Sequence, residues 1–208
     1  MPESIEEFHA RVLAAQEAAG GRLPLDPEGF TAWEAFPFDG ELTAKAVAQL
    51  QDIEARFGED PADCWCAASP PADDQWPTVW RDQHWRLKLA PPSGSPLVLM
   101  LQPNAHHDLN ELPRERAAEL GILTVLLTGA MEALPSVGRA HMARWGDGGA
   151  HAHIWFLARP ARMPQMRGTF NALWDDILPP VPAEVARDNA AAVVAALIAT
   201  YGGQRGDG

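Results

Sequence analysis

The clearest pattern of apolar and polar positions lies between residues 78 and 158. Thr78–Trp80 and His84–Leu89 predict a hairpin, because two short runs of strand-forming residues flank a polar turn. The apolar run Leu97–Leu101 is bounded by proline at both ends and predicts a central strand. Arg139–Arg144 predicts a further strand, so much of this region is expected to form one sheet.

One long helix is predicted between these strands. Pro113 suits the first helical position, and Pro135 ends the helix. Apolar residues at helical spacing form its buried stripe: Leu120, Leu123, Leu127, Met131 and Leu134. The order strand, strand, strand, helix, strand, strand predicts an α+β fold with an antiparallel sheet of about five strands and flanking helices.

A glycine-rich turn leads into an alternating run that predicts a strand over Ala150–Ala158. Successive side chains of a strand point to opposite faces. One face then holds alanine, isoleucine and phenylalanine, and the other holds His151, His153, Trp155 and Arg159. Strand rise places the two histidines roughly 7 Å apart.

Helices are also predicted outside the sheet. Ser4–Ala19 and Glu41–Phe57 predict two helices before it, the second with Leu42, Val47, Leu50 and Ile53 on its buried side. Pro182–Thr200 predicts a terminal amphipathic helix, and residues 204–208 are expected to fray. We therefore predict an N-terminal helical extension over residues 1–59, a central domain over 60–162 and a C-terminal helical extension over 163–208 that packs on it.

Charge and composition narrow the class of protein. The chain has 28 acidic and 16 basic residues among 208, a formal net charge of −12. This balance argues against a general nucleic-acid binder, which uses a basic surface. The acidic N-terminus lacks the apolar core of a signal peptide, and the apolar stretches are too short to cross a bilayer. We expect a cytoplasmic protein that binds neither nucleic acid nor membrane.

The two cysteines, Cys64 and Cys66, favour a metal site over a disulfide in a reducing compartment. A closed zinc site takes four cysteine and histidine ligands. The candidates are both cysteines, His151 and one of His106 and His107. The alternative is two free thiols and unrelated histidines.

His151 and His153 also indicate nucleophilic chemistry. Imidazole is a good nucleophile at neutral pH, and backbone amides at Gly148 and Gly149 can hold a phosphoryl group. Arg159 can bind a phosphate through two hydrogen bonds. The alternatives are partly exposed strand histidines beside an ordinary turn, and an arginine at a solvated rim.

These residues together resemble the histidine triad (HIT) superfamily, whose hallmark is His-φ-His-φ-His-φ-φ. The resemblance rests on Pro103-Asn104-Ala105-His106, on a helix opened by Glu111-Leu112-Pro113, and on His151-Ala152-His153-Ile154-Trp155. It covers about Cys64–Arg162. The chain is also similar to the galactose-phosphate uridylyltransferase branch, where the third histidine is glutamine.

The resemblance implies roles for individual residues. It implies that His153 is the nucleophile of a covalent nucleotidyl-histidine intermediate, and that Cys64, Cys66, His106 and His151 hold a structural zinc ion. Arg159 matches a basic residue that often follows the motif. The family fold implies a five-stranded antiparallel sheet, often doubled by a homodimer, and a nucleotide-like ligand.

The third triad position separates two hypotheses for function. Trp155 stands there, and an indole offers one N–H donor but no proton to exchange. The first hypothesis is a hydrolase or nucleotidyltransferase that acts on a nucleoside phosphate conjugate. The second is a zinc-stabilised protein that binds a nucleotide or another small ligand without turnover. A third reading is a structural partner that uses the terminal helices as its interface.

Overall fold

The computed structural model describes residues 4–52, 55–67 and 76–206. The chain forms two compact units, residues 1–54 and residues 55–208. We call them the N-terminal unit and the main unit. The candidate chemistry lies in the main unit.

The first helix of the N-terminal unit, α1, spans Ile5–Ala18 and confirms the helix predicted there. It begins with a capping box, in which the Ser4 hydroxyl accepts the Glu7 N–H and the Glu7 carboxylate accepts the Ser4 N–H. These bonds satisfy backbone donors that the first turn would otherwise leave unpaired. A short 3₁₀ turn follows at Phe30–Ala32.

The helix predicted over Glu41–Phe57 is wrong for the residues that the structure describes. Residues 41–52 contain no helix, and residues 53 and 54 lie outside the described part. Side chains of α1 bond this backbone instead: Val47 N–H donates to Gln16 Oε1 at 2.6 Å, and His9 Nε2 lies 2.9 Å from the Ala48 carbonyl. An amphipathic helix is stabilised mainly by packing of its apolar face. Here that face stays exposed at Leu42, Val47 and Leu50.

The main unit is built on one antiparallel sheet, which confirms the predicted α+β class and the central strand. The strand order is β4-β5-β3-β2-β1-β6. In chain order the strands are β1 Thr78–Arg81, β2 Trp85–Leu89, β3 Val98–Pro103, β4 Val137–Ala143, β5 Ile154–Pro160 and β6 Gln204–Arg205. Strand β3 is fully buried, as its apolar run predicts.

Two helices, α2 (Arg114–Glu132) and α4 (Ala183–Thr200), share a core with one face of the sheet. Helix α3 spans Phe170–Ile177. The predicted stripe is confirmed on α2 by three buried residues, Leu123, Leu127 and Met131. Leu134 is buried as well but follows the end of the helix. No helix in the described part of the chain is long and apolar enough to cross a membrane. The predicted domain limits at residues 60 and 162 and the homodimer remain predictions.

The strand predicted over Ala150–Ala158 begins later than expected. Strand β5 starts at Ile154, so His151 and His153 lie in the segment before it. The backbone of that segment bonds elsewhere, with Ala150 N–H donating to the Phe57 carbonyl and Ala152 N–H to the His107 carbonyl. From Ile154 onward the alternation holds. The two histidines therefore do not occupy alternate positions of a ladder.

The frayed tail expected at residues 204–208 is wrong for the described residues 204–206. Strand β6 pairs with β1, and Gly206 N–H donates to the Val79 carbonyl at 2.9 Å. Gly202 and Gly203 have φ of 102° and 80° and reverse the chain after α4. Glycine adopts these angles without the steric cost of a β-carbon.

We expect Leu127→Ala to lower the free energy of unfolding by about 2–5 kcal/mol, because it leaves a cavity in the core. The Leu127 side chain is fully buried, whereas Val125 on the same helix is 71% exposed. The matched control Val125→Ala should change the free energy by less than about 0.5 kcal/mol. Urea denaturation measures both, and equal effects would contradict the packing described for α2.

Candidate functional site

Four potential metal ligands meet at one point of the main unit. One ligand atom each of Cys64, Cys66, His106 and His151 lies within 4.8 Å of the other three. Cys64 Sγ is 3.5 Å from His151 Nδ1, and Cys66 Sγ is 3.4 Å from His106 Nδ1. Tetrahedral zinc, with bonds of about 2.3 Å to sulfur and 2.0–2.1 Å to nitrogen, requires a sulfur–nitrogen separation of roughly 3.5 Å. The donor set and its dimensions therefore fit zinc.

Two 3₁₀ turns bring the closely spaced cysteines to the cluster. Pro61–Asp63 forms the first turn and Trp65–Ala67 the second, so the backbone winds tightly through Cys64 and Cys66. The intervening Trp65 packs against His151, with ring centroids 4.6 Å apart. Arg86 belongs to strand β2, and its guanidinium lies 3.3 Å from the centroid of the Trp65 ring. Trp65 thus anchors the cysteine turn to the sheet.

The imidazole of His151 is oriented for metal binding. The side chain is buried, and Nε2 lies 2.8 Å from the Pro103 carbonyl at the end of β3. When Nε2–H donates to that carbonyl, Nδ1 keeps the lone pair that faces Cys64. Burial lowers the pKa of His151 to about 4, which keeps the ring neutral at neutral pH.

The two neighbouring histidines upstream have different positions. The His106 ring lies edge-on to the His151 ring, with centroids 5.2 Å apart. His107 takes part through its backbone, because its carbonyl accepts the Ala152 N–H at 2.7 Å. The structure therefore brings His106, and not His107, into the cluster.

The thiol of Cys66 has a strongly shifted pKa. Burial raises the pKa of Cys66 to about 11, and hydrogen bonding and charge at Cys64 add to the effect. Metals bind the thiolate, so a metal must displace the thiol proton here.

His153 lies beside the glycine turn with both ring nitrogens near carbonyl oxygens. Nδ1 is 2.9 Å from the His151 carbonyl, and Nε2 is 2.8 Å from the Trp145 carbonyl. A neutral imidazole has a single N–H and can donate to only one of them. Donation from Nδ1 leaves the lone pair on Nε2, as a nucleophile requires, but the Trp145 carbonyl then covers that nitrogen.

The glycine turn is tied to the chain around residue 57. Phe57 N–H donates to the Gly148 carbonyl at 3.1 Å, and Ala150 N–H returns a bond to the Phe57 carbonyl at 3.0 Å. The N–H groups of Gly148 and Gly149 bond to nothing within the described ranges. A β-carbon on Gly149 would lie 3.6 Å from Cε1 of His153. Gly149 thus lies next to this imidazole, and the turn offers two backbone donors that have no partner within the described ranges.

An acidic residue that the sequence reasoning missed fixes this turn. Asp108 pairs with Arg144, and its other oxygen lies 2.7 Å from Nη1 of Arg56. Arg56 Nη1 also donates to the Gly146 carbonyl at 3.4 Å. A β-carbon at Gly146 would overlap the Arg144 guanidinium, so a larger residue here would displace that side chain from its present position. The sequence carries no pattern that joins these three charged residues.

The electrostatics of Asp108 favour its charged form. Burial would raise the pKa of its carboxyl, but the hydrogen bonds from Arg56 and the Leu109 amide, with the charges of Arg144 and Arg56, outweigh burial. The pKa of Asp108 therefore lies below its ordinary value. The carboxylate stabilises the fold at neutral pH.

The other two predicted site residues differ in position. Trp155 belongs to a tryptophan group, with ring centroids 5.2 Å from Trp76 and 6.2 Å from Trp145. Arg159 lies near the far end of β5, where its Nη1 donates to the Met163 carbonyl at 3.2 Å. Six residues of strand separate it from His153, which is about 20 Å. The structure brings Trp155, but not Arg159, to the side of the glycine turn.

Comparisons with known proteins give structural neighbours only. No protein-family model matches the chain, and no curated protein matches it. A zinc-bound histidine triad family protein from Mycobacterium smegmatis is 16% identical, with a TM-score of 0.49 over 65% of this chain and 96% of that one. A hypothetical histidine triad nucleotide-binding protein from Sulfolobus tokodaii is 13% identical, with a TM-score of 0.49 over 66% and 95%. A histidine triad protein from Sinorhizobium meliloti is 19% identical, with a TM-score of 0.48 over 59% and 90%.

We expect Asp108→Asn to lower the free energy of unfolding at pH 7 by about 1–3 kcal/mol, because both arginines lose their charged partner. Because the pKa of this carboxyl is lower in the folded than in the unfolded protein, its charge stabilises the fold at pH values above the unfolded pKa, near 3.9. This stabilisation is lost as the pH falls through the lower pKa of the folded protein. Urea midpoints at pH 7, 5 and 3 should therefore converge for wild type and variant at the acid end. Asp147→Asn, in the exposed part of the same turn, is the control and should match wild type throughout. A constant difference at every pH would contradict this role for the Asp108 charge.

Proposed function

We propose that this chain is a zinc-stabilised, nucleotide-binding hydrolase or nucleotidyltransferase that acts on a nucleoside phosphate conjugate through His153. The observation that carries the proposal is the position of His153. Its Nδ1 lies 2.9 Å from the carbonyl of His151, a member of the four-ligand cluster, while its Cε1 lies 3.6 Å from the position of a β-carbon on Gly149. A metal bound by the His151 side chain would fix the position of the His151 backbone carbonyl, which in turn orients the His153 imidazole.

The proposed first step forms a phosphorus–nitrogen bond. Nε2 of His153 attacks the α-phosphorus, and the bond from phosphorus to the leaving group breaks with its electron pair on that group. The N–H groups of Gly148 and Gly149 would bond the phosphoryl oxygens as negative charge develops. Water or an acceptor then attacks phosphorus, releases the nucleotide and returns Nε2 to its free form.

The leaving group must depart without acid help from residue 155. The Trp155 indole can donate a hydrogen bond but cannot transfer a proton at neutral pH. Substrates whose leaving group is stable as an anion, such as phosphoanhydrides, fit this site better than simple alkyl phosphoramidates. In the described arrangement the Trp145 carbonyl also covers Nε2, so a substrate must displace the glycine turn.

Zinc, when bound, would neutralise the two thiolates and cross-link the cysteine turn, the end of β3 and the segment before β5. Cys64, Cys66, His106 and His151 would hold it. Four protein ligands leave no open position, so the role assigned to the metal is structural.

A second candidate function is ligand binding without turnover. It is supported by the Trp145 carbonyl at 2.8 Å from Nε2 of His153 and by the packing of Trp155 with two other tryptophans. Both features occupy positions that the chemical step would use. Saturable binding without product would favour this alternative.

We expect about one zinc ion per chain in protein purified without an affinity tag, measured by elemental analysis. Cys64→Ser and His106→Ala should lose the metal and unfold at lower temperature, because metal binding is coupled to folding. His107→Ala is the matched control, since the His107 side chain is outside the cluster and, among the described residues, its bond is made through the backbone carbonyl. Zinc retention by His106→Ala, or equal loss in His107→Ala, would refute the ligand assignment.

We expect wild-type protein to hydrolyse at least one member of a panel of dinucleoside polyphosphates and nucleoside phosphoramidates. His153→Ala should lower turnover by roughly 10³-fold or more, because the nucleophile is lost. A labelled α-phosphate should be trapped on wild type as an acid-labile adduct and be absent from the variant. His84→Ala, in the turn between β1 and β2, is the control and should retain activity. A wild type as inert as His153→Ala on every substrate would sink the enzymatic proposal.

A further inference from the structure

A separate cavity of about 720 Å³ lies between strand β4 and the start of helix α3. Its lining is largely apolar and includes Met142, Leu157, Ala172 and Leu173. Its size and lining are those of small-molecule sites, which are mostly apolar with a few placed polar groups. Neither the four-ligand cluster nor the glycine amides account for it.

One buried polar side chain in the lining lacks hydrogen bonds. Asn171 is 1% exposed, and both Nδ2 and Oδ1 are without a partner among the described residues. Leaving a buried carboxamide unpaired costs free energy that a ligand with a matching donor and acceptor would recover. Both atoms are closed to solvent, so the amide must turn toward the cavity to meet a ligand. No hydrogen bond of the amide opposes that rotation.

Trp145 connects this cavity to His153. Its half-exposed side chain lines the cavity, and its backbone carbonyl lies 2.8 Å from Nε2 of His153. An indole offers a flat surface on which a planar ring can stack. A ligand that moves Trp145 would also uncover the nitrogen proposed to attack phosphorus.

We propose that this cavity binds the base of the nucleotide, with Asn171 bonding its edge and Trp145 stacking on its face. Every nucleobase presents a donor beside an acceptor on at least one edge, and a carboxamide complements that pair in two hydrogen bonds. This assignment rests on the proposed function in one respect, which is that the ligand is a nucleoside phosphate. It does not require turnover.

Isothermal titration calorimetry with AMP, GMP, CMP and UMP tests the assignment, with ribose 5-phosphate as the probe that lacks a base. Asn171→Leu should weaken binding of the nucleotides roughly tenfold or more, by loss of two hydrogen bonds, and leave ribose 5-phosphate unchanged. The same variant should melt at an equal or higher temperature than wild type, because it removes an unpaired buried amide. Val125→Leu, on the exposed face of α2, is the control.

Asn171→Asp supplies a second variant that preserves shape. A carboxylate only accepts hydrogen bonds, so GMP, whose base has two adjacent donors, should keep more affinity than the other nucleotides. Wild-type affinity for all four nucleotides in both variants would overturn the assignment, as would nucleotide binding no tighter than that of ribose 5-phosphate. Wild-type protein that binds nucleotides in an Asn171-dependent way but turns over no substrate of the panel would reject the proposed enzyme and keep the base site.

Discussion

The buried imidazole of His151 is the contact on which the arrangement of the candidate site depends. One ring nitrogen faces the Pro103 carbonyl at the end of β3, and the other faces Cys64 at 3.5 Å. The ring is also packed between Trp65 and His106. Three segments that are far apart in the chain are therefore held by one side chain. Because His153 bonds to the backbone carbonyl of His151, any displacement of the cluster would move the candidate nucleophile as well.

A second constraint acts on the other side of His153. The carboxylate of Asp108 pairs with Arg56 and Arg144. Arg144 precedes the glycine turn, and Arg56 donates to the Gly146 carbonyl at its start. The turn in turn presents the Trp145 carbonyl to His153. Hydrogen-bonded charges at low exposure resist rearrangement, since breaking one partner leaves the other charge unpaired. The ion pairs thus stabilise the arrangement in which the Trp145 carbonyl covers Nε2 of His153. A ligand that reaches this nitrogen must supply the free energy to displace the turn.

Trp155 is the residue that separates the two proposed functions, catalysis and ligand binding without turnover. It faces away from the main core and packs with Trp76 and Trp145, so it belongs to an aromatic wall. Such a wall favours a planar ligand over proton transfer. A nucleophile without a neighbouring acid still suits leaving groups that are stable as anions. The two functions proposed for this site therefore share one ligand class and differ in whether a bond breaks.

The sequence alone determined the elements whose residues carry their own periodicity. The apolar run of β3 and the apolar stripe of α2 could be read from local patterns, and so could the preference of two closely spaced cysteines for a metal. Only the tertiary structure decided features that depend on contacts between distant residues. Asp108 and Arg56 are 52 positions apart, and the late start of β5 follows from backbone bonds to Phe57 and His107. The apolar face over residues 41–52 has helical spacing but stays exposed, so no packing stabilises a helix there. Periodicity indicates which face of a helix or strand is apolar. Whether another element packs on that face depends on the rest of the fold.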